Sequence, residues 1–343
     1  MVGDRNGLHF APVAPGPRMT WSGPESSIAF DVDGIRSRLR QLEQVCYVVR
    51  RQGQIGMTNE GHLSSIDGAA TSASTGGLEV LAMASPMPVE QLGDPRFRAF
   101  HNVRYSYTSG AMANGISSEA LVIAMGRAGF MGSFGAAGLL PSRIEAAIGQ
   151  IKKALPDGPY AFNLIHSPME EALERSAVEL YLRNGITTVE ASAYLDLTPH
   201  IVRYRAAGLQ LNANNDIEIT NKVIAKISRR EVARKFMQPA PETLLAELVQ
   251  AGQLSEQQAQ LARHVPLADD ITVEADSGGH TDNRPLVGLF PSIMELRDEI
   301  QAQRNYATPI RIGAAGGIGT PAAALAAFMM GAAYVVTGSI NQA

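Results

Sequence analysis

From about Phe100 the chain repeats one unit: a short apolar run, a turn, then a helix start. The runs are Val103–Ser109, Gly129–Phe134, Tyr160–Ile165, Thr187–Ser192, Lys222–Ser228, Ile271–Ala275, Ile310–Gly313 and Tyr334–Thr337. Ser117 or Ser118 caps one intervening helix, Pro141 and Ser142 open another that reaches about Leu155, and Pro168 starts one ending near Asn184 and Gly185. A helix between consecutive strands returns the chain to begin the next strand in the same direction, so the alternation predicts an α/β protein with a parallel sheet. Eight such units in 343 residues favour a closed (β/α)8 TIM barrel over an open sheet. Barrels place their chemistry at the C-terminal ends of their strands, and there the polar and glycine-rich stretches of this chain fall.

Two regions stand outside the repeat. Residues 1–99 read as an arm and a small α+β unit, with the barrel over 100–343. The first 25 residues show little periodicity. Asp33 is the expected cap of a helix through Ile35, Leu39, Leu42 and Val45. A strand over Val45–Val49 and a second beyond Gly53 suit a hairpin, and residues 61–77 suit a loop. The second region, 229–268, is a helical insertion of two segments, one from Pro241 to Gly252 and one opened by a capping-box pattern at Ser255-Glu256-Gln257-Gln258. An excursion of this length usually forms a lid or an interaction surface. Arg229, Arg230, Arg234 and Lys235 at its root form either a solvated helix face or a docking and phosphate-contact patch.

A net charge of -4 and a pI near 6.0 give no overall attraction to nucleic acid or an anionic membrane. The single Cys46 excludes an internal disulfide and a cysteine-based metal site, and no signal peptide opens the chain, so a cytoplasmic protein is expected. Thr320–Ser339 is long enough and apolar enough to suggest a membrane span, but Gly331 interrupts it, and a buried helix followed by a buried strand is the expectation.

The candidate chemistry sits at the strand ends. Glu274-Ala275-Asp276-Ser277-Gly278-Gly279-His280 joins an anion-friendly turn to a titratable ring, which makes His280 the general-acid candidate. Gly313–Thr320, with Gly316 and Gly317, lies between a strand and a helix start at Pro321, and Thr337-Gly338-Ser339 ends the last strand. Loops after the seventh and eighth strands of a barrel commonly hold phosphate. Lys226, in an apolar strand with Lys222, Ile224 and Ser228 on its face, must reach water, a carboxylate or an anionic ligand. Asn163 either pairs with the edge of a flat heterocycle or pins a loop. Gly110–Gly115 brings backbone and Met112 towards a flat ring. His166 and His200 also follow strands, but a role in ordering loops suffices for them.

These stretches together resemble the flavin-dependent barrels of the nitronate monooxygenase and enoyl reductase superfamily. Within it the chain resembles the PfaD-type trans-acting enoyl reductases of polyketide and polyunsaturated fatty acid synthases. The resemblance runs through Gly110–Gly115, Gly132–Gly138, Ala161–Pro168, Val189–Ala193, Val223–Ala233, Glu274–Pro285 and the two phosphate loops. It covers nearly everything from Leu92 onward and is weaker before Asp31. The Asp276–His280 element marks the superfamily; the tail Thr281–Pro285 and the insertion mark the subgroup.

The resemblance implies FMN, with its phosphate on Gly316, Gly317, Gly338 and Ser339, Gly278 and Gly279 nearby, its ring on Ala111 and Met112, and Asn163 and Lys226 at the ring edge. It implies that Lys226 favours the anionic reduced ring and that NADPH supplies hydride. It implies a substrate that is an enoyl thioester on an acyl carrier protein, a partner polyketide or fatty acid synthase, and a proton from His280. Two other readings use the same scaffold: a nitronate monooxygenase, and a flavin-binding synthase component without turnover. The N-terminal unit covers the barrel or makes a homodimer contact. Relatives continue beyond the motif Val336–Gln342, so the last barrel helix is expected to be missing from this sequence.

Overall fold

The computed structural model describes residues 19–65, 77–277 and 281–342. The chain divides into two compact units, one up to Val89 and one from Glu90 onward.

The first unit is an antiparallel sheet of β1 (Met19–Ser22), β2 (Cys46–Arg51), β3 (Gln54–Thr58), β4 (His62–Ser65) and β5 (Leu78–Ala84), in the order β3-β2-β5-β1-β4, with helix α1 (Val32–Leu39). The β2–β3 hairpin turns on Gln52 and Gly53, both at positive φ. Trp21, Ile28, Tyr47 and Val49 form its core. Three details differ from the sequence expectation. β1 lies inside the expected arm, and β4 lies inside the expected loop. The cap of α1 is Asp31, whose carboxylate accepts from the Gly34 N–H at 2.8 Å, and the helix stops at Leu39, short of Leu42 and Val45. A cap needs extended backbone ahead of the helix, which Asp31 has, whereas Asp33 is already inside the first turn.

The second unit opens with α2 (Pro95–His101), capped by Asp94. Eight strands follow: β6 (Tyr107–Ser109), β7 (Met131–Phe134), β8 (Tyr160–Ile165), β9 (Thr188–Ser192), then, after a small hairpin of β10 (Leu209–Leu211) and β11 (Ile217–Ile219), β12 (Lys222–Ile227), β13 (Asp270–Glu274), β14 (Arg311–Ala315) and β15 (Val335–Thr337). Each barrel strand pairs in parallel with the next, and β15 closes on β6 with Val335 opposite Tyr107. The TIM barrel is thus as expected, with shorter first and last strands. Helices α3 (Glu119–Arg127), α4 (Pro141–Ala154), α5 (Glu171–Arg183), α6 (Pro199–Ala207), α7 (Arg230–Met237), α8 (Glu242–Gln250), α9 (Glu256–Ala262), α10 (Leu286–Arg304) and α11 (Pro321–Met329) connect the strands.

Alternation along the strands builds two apolar layers. Val223, Ala225 and Ile227 of β12 face the helix layer. Ile224 points inward with Met131, Ala161, Tyr334 and Val336. The N-terminal end of the barrel is closed by α2: Phe97 stacks on Tyr334 at 4.1 Å, and His101 Nε2 lies 2.8 Å from Asp270 Oδ2. Arg311 grips the same carboxylate at 2.6 and 2.9 Å. Burial alone would raise the Asp270 carboxyl, but Arg311 and His101 outweigh it and hold the group at about 2.

The segment 229–268 holds three helices rather than two. α7 packs on β12 and α10, as the helix of an ordinary βα unit does. α8 and α9 pack on α6, and Gln258 Nε2 donates to the Ala207 carbonyl at 3.2 Å, so the excursion lies beside the end of α6 and away from the rim. The capping box at Ser255 and Gln258 forms as its spacing predicts. The basic side chains at the root are ion-paired: Arg229 with Asp282, Arg230 with Glu295, Arg234 with Glu299 and Lys235 with Asp196. Among the described residues no helix is long and apolar enough to cross a membrane; Thr320–Ser339 is a nine-residue helix, a turn at Gly331 and β15.

Candidate active site

Two turns and one strand pair bring the C-terminal rim together. After β6, the Ser117 hydroxyl accepts from the Met112 N–H at 2.9 Å and donates to the Gly110 carbonyl at 2.8 Å. The Ala111 N–H donates to Glu190 Oε1 at 3.1 Å. Both amides are therefore engaged, and Ala111 and Met112 offer a ligand apolar surface. Gly135 seats this turn from the next strand: a Cβ there would lie 1.7 Å from the Met112 carbonyl oxygen. After β15, Asn341 accepts from the Tyr107 hydroxyl at 2.9 Å and donates to Ser109 Oγ and the Thr337 carbonyl. These bonds hold Gly338 and Ser339 beside Met112, whose Sδ lies 3.8 Å from where a Gly338 Cβ would stand.

The loop after β14 completes the wall. Gly316 and Gly317 have φ of +90° and +70°, and a Cβ at Gly316 would meet the Ala275 carbonyl at 2.7 Å. No backbone carbonyl among the described residues accepts from the Gly317 or Ile318 N–H. Helix α11 begins just beyond, capped by Thr320. A cavity of about 450 Å3 results, lined by Ala111, Met112, Lys226, Gly316, Gly317, Gly338 and Ser339 among others. Free glycine amides and a helix N-terminus at one end, apolar backbone at the other and a cation in between suit a phosphate-bearing planar cofactor such as FMN.

Among the described residues, Lys226 is the one cation on that wall. Its Nζ lies 3.1 Å from Glu274 Oε1 and 3.5 Å from Glu190 Oε1. Burial works against its charge, but Glu190 and Glu274 outweigh burial and raise it above the ordinary lysine value. Lys226 and Glu274 also line a second cavity of about 400 Å3 with His166, Tyr194, Arg229 and Asp282. Asp282 accepts from Ser228 Oγ and from Arg229 in a bidentate pair, which holds its carboxyl at about 2 and ties residues 281–285 to the start of α7.

Of the residues singled out from sequence, seven meet here: Ala111, Met112, Lys226, Gly316, Gly317, Gly338 and Ser339. Asn163 does not join them. Its amide donates to the Glu190 carbonyl at 3.1 Å and to Ser192 Oγ at 2.9 Å, which pins strand β8 to the end of strand β9, and it borders a separate small cavity. Gly278, Gly279 and His280 lie outside the described residues. His200 lies in the first turn of α6, with Nε2 3.1 Å from Glu171 at the start of α5, so it links two helices rather than ordering a loop. Sequence reasoning missed Glu190, although a carboxylate inside the apolar Val189–Ala191 run is the kind of signal that marks an inward-facing charge. Asn341 gave no such signal, because its partners on β6 are more than two hundred residues away.

Comparison with known proteins follows the two units. A family model described as fatty acid synthase subunit PfaD N-terminal domain matches residues 21–86, and one described as nitronate monooxygenase matches residues 95–340. A polyunsaturated fatty acid synthase component of a Thraustochytrium species is 44% identical over 95% of this chain, which spans 21% of that protein. The polyketide biosynthesis protein PksE of Bacillus subtilis is 47% identical over 74% of this chain, which spans 33% of it. This chain thus matches a third or less of these relatives' length. The solved enoyl reductase domain of MlnA, from the macrolactin biosynthesis cluster of Bacillus amyloliquefaciens, is 41% identical, with a TM-score of 0.72, over 74% of this chain and 58% of that one. By the residues matched, the chain belongs to the nitronate monooxygenase family, with a PfaD-type N-terminal unit ahead of its barrel.

Proposed function

We propose that this protein is an FMN-dependent enoyl reductase that uses NADPH to saturate the α,β double bond of an enoyl thioester carried on an acyl carrier protein, acting in trans for a polyketide or fatty acid synthase. The observation that carries the reading is the cavity in which Lys226 faces apolar backbone at Ala111 and Met112 and glycine turns at 316–317 and 338. The 41% identity to the enoyl reductase domain of a macrolactin biosynthesis cluster supports the substrate class.

The residues divide the work. The amides of Gly317 and Ile318 and the start of α11 bind phosphate. Ala111 and Met112 support the ring, and Ser117, Glu190 and Gly135 keep that turn in place. Lys226 stabilises negative charge at the ring edge. When bound, FMN supplies hydride acceptance and donation. The neighbouring cavity, which shares Lys226 and Glu274, receives the acyl thioester. His280 supplies the α-carbon proton by resemblance.

Anaerobic stopped-flow tests this directly. NADPH should bleach the flavin of the loaded protein, and a crotonyl or longer enoyl thioester should restore its colour. A flavin that no enoyl thioester reoxidises, in a protein that consumes oxygen with a nitronate, would establish the monooxygenase reading instead. Reaction with neither would favour the non-catalytic one.

A further inference from the structure

A carboxylate–histidine pair, His166 and Glu174, stands beside the cavity proposed for the acyl thioester. His166 follows β8 directly, and its backbone N–H donates to the Ser192 carbonyl at 3.0 Å. Its ring stacks on Tyr194, with centroids 5.2 Å apart and planes 24° apart. Nδ1 lies 2.9 Å from Glu174 Oε2. The Glu174 side chain is 1% exposed, and its other oxygen accepts from the Tyr194 hydroxyl at 2.8 Å and from Thr198. Tyr194 is held in its protonated, donating form by burial first and then by the Glu174 charge. A carboxylate in this setting only accepts, so Nδ1 carries a proton towards it. Nε2 has no hydrogen-bond partner among the described residues, and the side chain lines the cavity that it shares with Lys226 and Glu274.

Packing explains how the ring is held, but not why so much is invested in holding it. Tyr194 and Thr198 engage only Oε1 of Glu174, and His166 alone among the described residues meets Oε2. Ala193, beside Tyr194 on the same wall, has φ of +63°, a strained value for a residue with a Cβ. Strain, a buried orienting carboxylate and a free ring nitrogen converge on one cavity.

We infer that His166, oriented by Glu174, donates a hydrogen bond from Nε2 to the thioester carbonyl oxygen and stabilises the enolate formed during reduction. The inference rests on the enoyl-reductase reading and assigns it a residue. Hydride, which a bound reduced flavin would supply, forms the new bond at the β-carbon. The π pair of the double bond moves to the α-carbon and carbonyl, leaving an enolate whose charge lies on that oxygen. A proton then reaches the α-carbon from a separate donor, and the carbonyl re-forms. His166 donates from Nε2 without giving up that proton, and its Nδ1 stays on Glu174. The other charged groups facing it are Lys226 and Arg229 on β12 and the start of α7, Glu274 on β13, and Asp282 beyond it.

The test uses flavin-loaded full-length protein and His166→Gln and Glu174→Gln variants, each checked for flavin absorbance and circular dichroism. Acetoacetyl-pantetheine serves as the probe, because its enolate has its own ultraviolet band and binding can be read without turnover. Wild type should bind the enolate and H166Q should not. H166Q should be reduced by NADPH at the wild-type rate but reoxidised by crotonyl-pantetheine about 10²–10³-fold more slowly, as for loss of one oxyanion donor. E174Q, which keeps the side-chain shape, should displace the pH profile of the oxidative half-reaction, a readout that packing alone would leave in place. Enolate binding and reoxidation at wild-type levels in H166Q would overturn the assignment while leaving the enoyl-reductase reading intact. A wild-type protein that no enoyl thioester reoxidises would overturn both.

Discussion

Lys226 stands between two carboxylates on the wall of both cavities. Sequence reasoning recognised it, because a lysine in the apolar run Val223–Ile227 must meet an anion or water. It left open which anion, and the answer comes from β9 and β13, the two strands that flank β12 in the barrel. Removing the cation leaves the Glu190 and Glu274 carboxylates without the charge that stands between them. Lys226→Met should therefore destabilise the barrel by roughly 3–5 kcal/mol, the usual cost of breaking a buried pair from one side. It should also purify with less flavin than wild type. Guanidinium denaturation and the ratio of flavin to protein absorbance measure the two effects; an unchanged midpoint and full flavin content would show that Lys226 is neither structural nor part of the cofactor wall.

The elements that carry the site are turns seated by glycine. Gly132–Gly138 was legible as a strand and turn, but the reason for Gly135 was not, because it depends on the carbonyl of Met112 across two βα units. Gly135→Ala places a methyl group where that oxygen is and must push the Ala111–Met112 turn aside. We expect protein with the helical circular dichroism of wild type and at least tenfold weaker flavin retention, read by dialysis and absorbance; wild-type retention would show that the turn does not hold the cofactor. The insertion shows the opposite limit. Its capping box could be read from four residues, whereas its place beside α6 rather than over the rim depends on contacts with Ala207 and β10 that no local pattern encodes.

At the scale of the molecule, the two units carry separate reporters. Trp21, the only tryptophan, is buried in the N-terminal core with its Nε1 donating to the Glu60 carbonyl at 2.8 Å. The barrel's N-terminal plug is built on Asp270, held at about 2 against an ordinary 3.8. A depressed carboxyl contributes its full stability above the unfolded value and loses it as the pH falls towards the folded one. Wild type should therefore lose about 2 kcal/mol of barrel stability between pH 4 and pH 2 from this group. Asp270→Asn should lack that dependence and shift the barrel transition followed by circular dichroism, while the Trp21 fluorescence midpoint stays in place. An unchanged pH dependence in the variant, or equal shifts in both signals, would refute it.

The sequence by itself determined the repeat: strand and helix periods, proline helix starts and glycine turns are local, and eight of them commit the chain to a closed parallel barrel. It also placed Ala111, Met112, Lys226, Gly316, Gly317, Gly338 and Ser339 at strand ends, and in a barrel all strand ends face one rim. Only the tertiary structure decided which of those residues meet. It put Glu190 and Glu274 on either side of Lys226, withdrew the Asn163 amide to β9, and set His166 against Glu174 on the wall of the second cavity. The physical reason is the pairing of non-consecutive chain segments: burial and hydrogen-bond partners across a closed barrel depend on register between strands far apart in sequence, and periodicity along one strand does not contain that information.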